Sequence, residues 1–168
     1  MVAASSKTSQ AFRSALTAAR RYLRYGTRST QQVRAHLAAR GVPKALAESV
    51  IDACTRARQL DDQASVTLWV NHLADRGYAW SAIHQLLLTK GFDAQYVAET
   101  IQRMHASAPD LERARAVVRA RASRGAAGLR ASTLRRRQQL ARLLARRGFD
   151  SDLIERVLVE SFGDRSDE

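Results

Sequence analysis

Apolar positions along the chain recur at helical spacing, and three stretches share one register. They read HLAARGVPKALAESVI, LLLTKGFDAQYVAETI and RLLARRGFDSDLIERVL, aligned on Gly41, Gly91 and Gly148. A basic residue precedes each glycine (Arg40, Lys90, Arg147), and a leucine lies four residues before it (Leu37, Leu87, Leu144). An apolar residue follows at once: Val42, Phe92 or Phe149. A basic residue followed by glycine ends a helix, because glycine enters the left-handed cap without a Cβ penalty and the cation faces the negative end of the helix dipole. Asp93 and Asp150 then suit the cap of a second helix, and Pro43 suits a first helical turn. Each stretch therefore predicts a helix, a tight turn and a second helix.

A third helix precedes each pair. The first spans about 10–25 with Phe12, Leu16, Ala19, Tyr22 and Leu23 on its apolar face. The second spans about 62–76 with Val66, Trp69, Val70 and Leu73, and the third about 110–123 with Leu111, Ala114, Val117 and Val118. Ser29 with Gln32 forms a candidate capping box, and Asp61 and Asp62 open the helix after Leu60. The expected layout is a flexible tail over 1–9, then three-helix repeats over 10–58, 60–105 and 109–162, then a tail over 163–168. Such small units are expected to share buried surface with their neighbours. The third repeat carries an insertion, ASRGAAGLRAST, which is expected to lengthen its middle helix and leave a mobile loop at 123–131.

Composition sharpens this all-α expectation. Arg and Ala, both strong helix formers, dominate, while there are only two prolines and eight glycines. One cysteine excludes an intrachain disulfide and fits a reducing compartment. The first ten residues, MVAASSKTSQ, lack the apolar centre of a signal peptide, and no uncharged apolar run approaches the roughly 20 residues of a membrane span. A cytoplasmic protein is expected, with no membrane contact.

The formal net charge is +12, and it is concentrated. Residues 113–147 hold 12 arginines and no acid, which leaves 16 basic residues to balance the 16 acidic ones elsewhere. On a helix over 131–147, Arg135, Arg142 and Arg146 fall within about 40° of one another with Gln139 beside them, opposite Leu140, Ala141 and Leu144. One face packs and the other presents guanidinium forks suited to phosphate or carboxylate. Arg113, Arg124 and Arg130 are expected to extend this stripe, giving an anion or partner site of seven residues with Gln139.

The arrangement resembles the RecX family, regulators of the bacterial recombinase RecA. The resemblance is carried by YLRYGTRSTQQVRAHLAARG (22–41), QLDDQASVTLWV (59–70), LLLTKGF (86–92) and LLARRGF (143–149), and it covers about 10–162. Ser65 and Val66 stand where the family has an aromatic followed by alanine, so Trp69 or Trp80 is expected to supply the missing packing. The resemblance implies three tandem three-helix repeats in an elongated, curved all-α array with no active site. It further implies binding to the RecA–single-stranded DNA filament, and restraint of ATP hydrolysis, strand exchange and the co-protease function that triggers the SOS response; a monomer is expected. Some members also touch DNA directly.

Other residues read as structural. Cys54 shares a face with Val50 and Ile51 and is expected in the core. His36, His72, His84 and His105 have no ligand spacing to one another or to Cys54, so no metal is expected. Trp69, Trp80, Tyr78, Tyr96, Tyr22 and Tyr25 are expected to pack rather than to stack bases. No phosphate-binding glycine loop, nucleophile motif or cofactor site is present in the sequence. Two function classes remain: a modulator that binds a recombinase filament, and a direct nucleic-acid binder using units such as STQQVRAHLAARG as helix–turn–helix elements.

Overall fold

The structure is a computed structural model that describes residues 2–125 and 133–163, with side chains over 8–122 and 133–163. The described residues form nine helices: α1 (Val2–Leu23), α2 (Thr30–Ala38), α3 (Lys44–Arg56), α4 (Asp62–Asp75), α5 (Trp80–Thr89), α6 (Ala94–His105), α7 (Asp110–Gly125), α8 (Thr133–Arg146) and α9 (Ser151–Phe162). No described residue lies in a strand, and no described helix is long and apolar enough to cross a membrane. The all-α repeat architecture is as the periodicity indicated.

Helix ends follow the expected chemistry. At α2, α5 and α8 the glycine takes φ of 74°, 76° and 80°. The N–H of the next residue donates back to the aligned leucine carbonyl: Val42 to Leu37 at 3.1 Å, Phe92 to Leu87 at 3.2 Å and Phe149 to Leu144 at 3.2 Å. This left-handed cap carries its own apolar contact, because the residue after glycine and that leucine are partners in the motif. Gly77 ends α4 in the same way, with Tyr78 N–H bonded to the Leu73 carbonyl at 3.1 Å. At the end of α3 the same bond runs from Gln59 to Cys54 at 2.9 Å, but the left-handed residue is Arg58, with φ 53°. Ser29 and Gln32 form the expected reciprocal capping box, Asp93 caps α6 through Gln95 and Tyr96, and Asp150 caps α9 through Asp152.

Several boundaries differ from expectation. α1 starts at Val2, so the segment expected as a flexible 1–9 tail is helical from its second residue. It contains no glycine or proline, and Ala3, Ala4 and Ala11 favour helix. Pro43 stands one residue outside α3 as its cap, where its missing N–H costs nothing. α7 continues through Gly125, so the first three residues of the loop expected at 123–131 are helical, while 126–132 lie outside the described residues. The middle helix of the third repeat is longer than its counterparts, 14 residues against 9 and 10. Of the tail expected at 163–168, only Gly163 is described.

Contacts divide the chain into two compact units: residues 1–68 with 87–97, and 69–86 with 98–168. α4, α5 and α6 each run from one unit into the other. The first unit is built on Ala15, Ala19, Val33, Leu37, Val50, Ile51 and Cys54, with Tyr22 and Phe12 packed against them. Burial pushes the Cys54 thiol pKa up, as befits a core cysteine. The second is built on Ala114, Val117, Val118, Leu140, Leu144, Phe149, Ile154 and Val157, and Ala79 from the α4–α5 turn joins it.

Each unit contains one copy of the same joint. In the first, Thr30 N–H donates to both carboxylate oxygens of Asp62 at 2.9 and 3.2 Å, and Ser29 Oγ donates to the Lys90 carbonyl at 2.6 Å. In the second, Trp80 N–H donates to Asp110 at 3.2 and 3.4 Å, Ala79 N–H donates to the Arg147 carbonyl at 2.9 Å, and Ser81 Oγ donates to the Gly148 carbonyl at 3.2 Å. The start of a middle helix thus lies on the glycine turn of the next repeat and is capped by the first acid of that repeat's first helix. A Cβ on Gly91 would sit 2.9 Å from Gln31 Cβ, and one on Gly148 would sit 2.4 Å from Ala82 Cβ, whereas nothing lies within 4 Å of the corresponding point at Gly41.

Arg113 completes the second joint, and this corrects its reading as part of an exposed stripe. It is 9% exposed, its guanidinium lies 3.8 Å from the centre of the Trp80 ring, and its Nε is 3.7 Å from Asp110. It also donates to the Tyr78 carbonyl, and at 3.5 Å to that of Ala74. Burial lowers its pKa while Asp110 opposes the shift. The apolar spacing that buries Ala114 and Val117 turns Arg113 to the same side.

Two outcomes follow for stability in urea. Gly41→Ala should cost about 1 kcal/mol, the left-handed penalty alone, and Gly148→Ala should cost a further ~1–3 kcal/mol for overpacking against Ala82. Arg113→Ala should cost about 3 kcal/mol by removing the cation beside the half-buried Asp110 carboxylate and the donor to the Tyr78 carbonyl. Arg142→Ala and Arg146→Ala should each stay within about 0.5 kcal/mol of the parent.

Candidate anion-binding groove

α8 is amphipathic by register. Leu140 and Leu144 are buried, Ala141 and Leu143 are half-buried, and Arg135, Gln139, Arg142 and Arg146 are exposed. Its packing beside α7 leaves a groove of about 440 Å³. Arg121 enters it from α7; Arg136, Gln139, Arg142 and Arg146 enter it from α8, and among the described residues no acidic side chain lines it. A second groove of about 630 Å³ shares Arg121 and Leu143 with the first and adds Arg76, Arg147 and the acid Asp75. Arg147 lies against Gly77, where a Cβ would come 3.0 Å from its guanidinium. Burial lowers the Arg147 pKa, Tyr78 opposes this, and the positive charge of Arg121 lowers it further. The charge of Arg121 thus acts on Arg147, and an anion between these two would relieve that repulsion.

The expected site residues divide in four ways. Gln139, Arg142 and Arg146 come together in the groove. Arg135 is exposed on the same helix and does not line it. Arg113 serves the joint. Arg124 lies in the last turn of α7 beyond the described side chains, and Arg130 lies outside the described residues. Sequence reading missed Arg121 and Arg136. Arg121 continues the Ala114–Val117–Val118 stripe by one turn, which places it at the edge facing α8. Arg136 precedes Leu143 by seven residues, so it shares the side of α8 that meets α7. Arg115 is withdrawn from anion binding by Glu112 at 2.6 Å and Glu160 at 2.8 Å, with Arg156 on the far side of Glu160 at 3.3 Å. These contacts lower the Glu160 pKa, the Arg115 hydrogen bond most of all.

Burial of aromatics is mixed. Trp80 is buried and donates through its indole N–H to the Ala108 carbonyl at 3.0 Å. Tyr22 stacks on His36 with ring centres 4.1 Å apart. Tyr25 is 73% exposed, against the expectation that it packs: it lies in the turn after α1, past the last position that faces the core.

Comparison with known proteins gives a consistent result. Residues 15–54 match the model of the RecX first three-helix domain, and residues 108–158 match that of the RecX third three-helix domain. The crystal structure of RecX from Lactobacillus salivarius aligns with a TM-score of 0.67 at 17% identity, over 90% of this chain and 97% of that one. A crystal structure of a regulatory protein RecX aligns with a TM-score of 0.65 at 20% identity, over 92% of this chain and 74% of that one. No curated protein sequence matches the chain. The structural matches share the fold, and the two matched domains, which together exceed half of the chain and include α8 with its groove, establish that the chain belongs to the RecX family of regulatory proteins.

Proposed function

We propose that this protein binds the RecA filament formed on single-stranded DNA and restrains it, lowering ATP hydrolysis, strand exchange and co-protease activity. It acts as a cytoplasmic monomer through binding alone, each three-helix repeat serving as one docking module. The observation that carries the reading is the groove between α7 and α8, where Arg121, Arg136, Arg142 and Arg146 converge with no acid among the described residues that line it, inside a matched RecX domain. A filament offers such a groove an anionic surface, and arginine forks gain most where the anion is fixed and partly desolvated.

The test is RecA ATPase on single-stranded DNA, at a salt concentration where binding to bare DNA is weak. The protein should inhibit at or below one copy per RecA. Arg136→Ala/Arg142→Ala/Arg146→Ala should keep its helical circular dichroism and need at least about tenfold more protein for the same inhibition, since each lost charge-assisted bond is worth roughly 1.5–3 kcal/mol. A folded triple variant that inhibits like the parent would remove the groove from the account. No inhibition by the parent, together with tight sequence-specific duplex binding, would favour the direct nucleic-acid reading instead.

A further inference from the structure

We infer that the second unit carries a separate site for a free nucleoside polyphosphate, in the groove where the end of α4 meets α7 and α8. Arg76, Arg121 and Arg147 take the phosphates, and an apolar wall takes the nucleoside. The groove measures about 630 Å³, within the range of small-ligand sites, roughly 300–1,000 Å³. Among the described residues four arginines and one acid, Asp75, line it, an excess of three positive charges. Arg76, Arg121 and Arg147 make no ion pair with any described residue. Arg121 also lines the α7–α8 groove, whereas Arg76, Arg113 and Arg147 do not.

Two of the four cations are preset. Arg147 lies against Gly77, where a Cβ would come 2.5 Å from Val117 and 3.0 Å from the Arg147 guanidinium, so the glycine keeps the space that this side chain uses. Arg113 is held over the Trp80 ring at 3.8 Å with its side chain 8% exposed. Its Nε is buried and has no hydrogen-bond acceptor among the described residues, since Asp110 stands 3.7 Å away. Burial works against the charge of both arginines, and Arg121 adds to this at Arg147. Cations that are partly desolvated and already placed lose little rotamer freedom on binding and gain most from an opposite charge.

The grouping of charge and apolar surface decides the ligand class. A nucleic-acid strand carries one charge per phosphate, spread along its length, whereas a polyphosphate chain places several on adjacent phosphoryl groups. The excess here is gathered in one groove. An acidic peptide spreads its charges over a longer path, one to a residue. Beside the arginines, α7 and α8 supply Ala116, Val117, Ala120 and Leu143. An inorganic polyphosphate would leave this apolar surface in water, and a nucleoside would cover it.

The test is calorimetry of the full chain with adenosine triphosphate, without magnesium and at fixed ionic strength. The parent should show one saturable site, with no binding of adenosine. Ribose 5′-triphosphate, the same phosphate chain without the base, should bind about tenfold more weakly because it covers less apolar surface. Arg147→Gln and Arg76→Gln should each weaken the triphosphate by at least about tenfold, the loss of one charge-assisted hydrogen bond. Arg76 is exposed at the end of α4, so Arg76→Gln tests the site even if Arg147→Gln lowers the urea midpoint. Arg136→Ala/Arg142→Ala/Arg146→Ala should bind the nucleotide like the parent. No saturable binding by the parent would overturn the inference, as would parent-like affinity in a folded Arg76→Gln or Arg147→Gln. So would equal affinity for ribose 5′-triphosphate, loss of binding in the triple variant, or displacement of the nucleotide by oligothymidylate at equal phosphate concentration. RecA is absent, so this inference and the filament reading fail separately.

Discussion

The repeats depend on how the first N–H groups of α2 and α5 are satisfied. A helix start leaves donors that its own turn cannot bond. Here a carboxylate from another repeat takes them: Asp62 at Thr30, and Asp110 at Trp80. Because the acceptor is the first residue of α4 or α7, the bond also fixes where the following repeat begins. The same stretch then has to lie on the glycine turn of that repeat, through Ser29 on Lys90 or Ala79 on Arg147. Glycine at 91 and 148 therefore ends a helix and admits a neighbour at once, while at 41 it only ends a helix. Desolvation raises the Asp62 pKa and the Thr30 bonds oppose it, as befits a half-buried cap.

The arginine excess has more than one role. Arg113 is spent on the joint, clamped between Asp110 and the Trp80 face, and Arg115 is spent on Glu112 and Glu160. What remains at the α7–α8 groove is a set of guanidinium groups held by well-packed helices, with no acid among the described residues that line it. Such a set is costly in the free protein and favourable against an anion, and rigid placement on helices limits the entropy lost on binding. The first unit shows that charge neutrality in the sequence does not exclude local cationic sites. Arg24, Arg28 and Arg58 share one groove although the residues outside 113–147 sum to zero.

Much of the fold was legible because it is written in local chemistry. The glycine caps, the Ser29–Gln32 box and the leucine four residues before each glycine all act within a turn or two, so their spacing survives in one dimension. The joint was not legible in this way. Asp61 and Asp62 looked alike as adjacent caps, yet Asp61 bonds its own helix through Ala64 and Asp62 reaches Thr30, 32 residues away in sequence, which no local spacing records. Arg113 was misread because net charge cannot tell a solvated arginine from a buried one over an indole. Arg121 and Arg136 were missed because the stripe was drawn on the face of α8 opposite Leu140 and Leu144, whereas the groove is lined by the edges along which α7 and α8 meet. Tyr25 was read with Tyr22, but only Tyr22 lies at a core-facing position of α1.

The central claim is that the protein recognises RecA in its DNA-bound form through an anionic surface that meets the α7–α8 groove. Co-sedimentation measures this most directly. The parent protein should pellet with RecA assembled on single-stranded DNA and stay in the supernatant with RecA alone, and Arg136→Ala/Arg142→Ala/Arg146→Ala should stay in the supernatant in both cases. Equal pelleting of parent and variant with the filament, or no pelleting of the parent, would contradict the account.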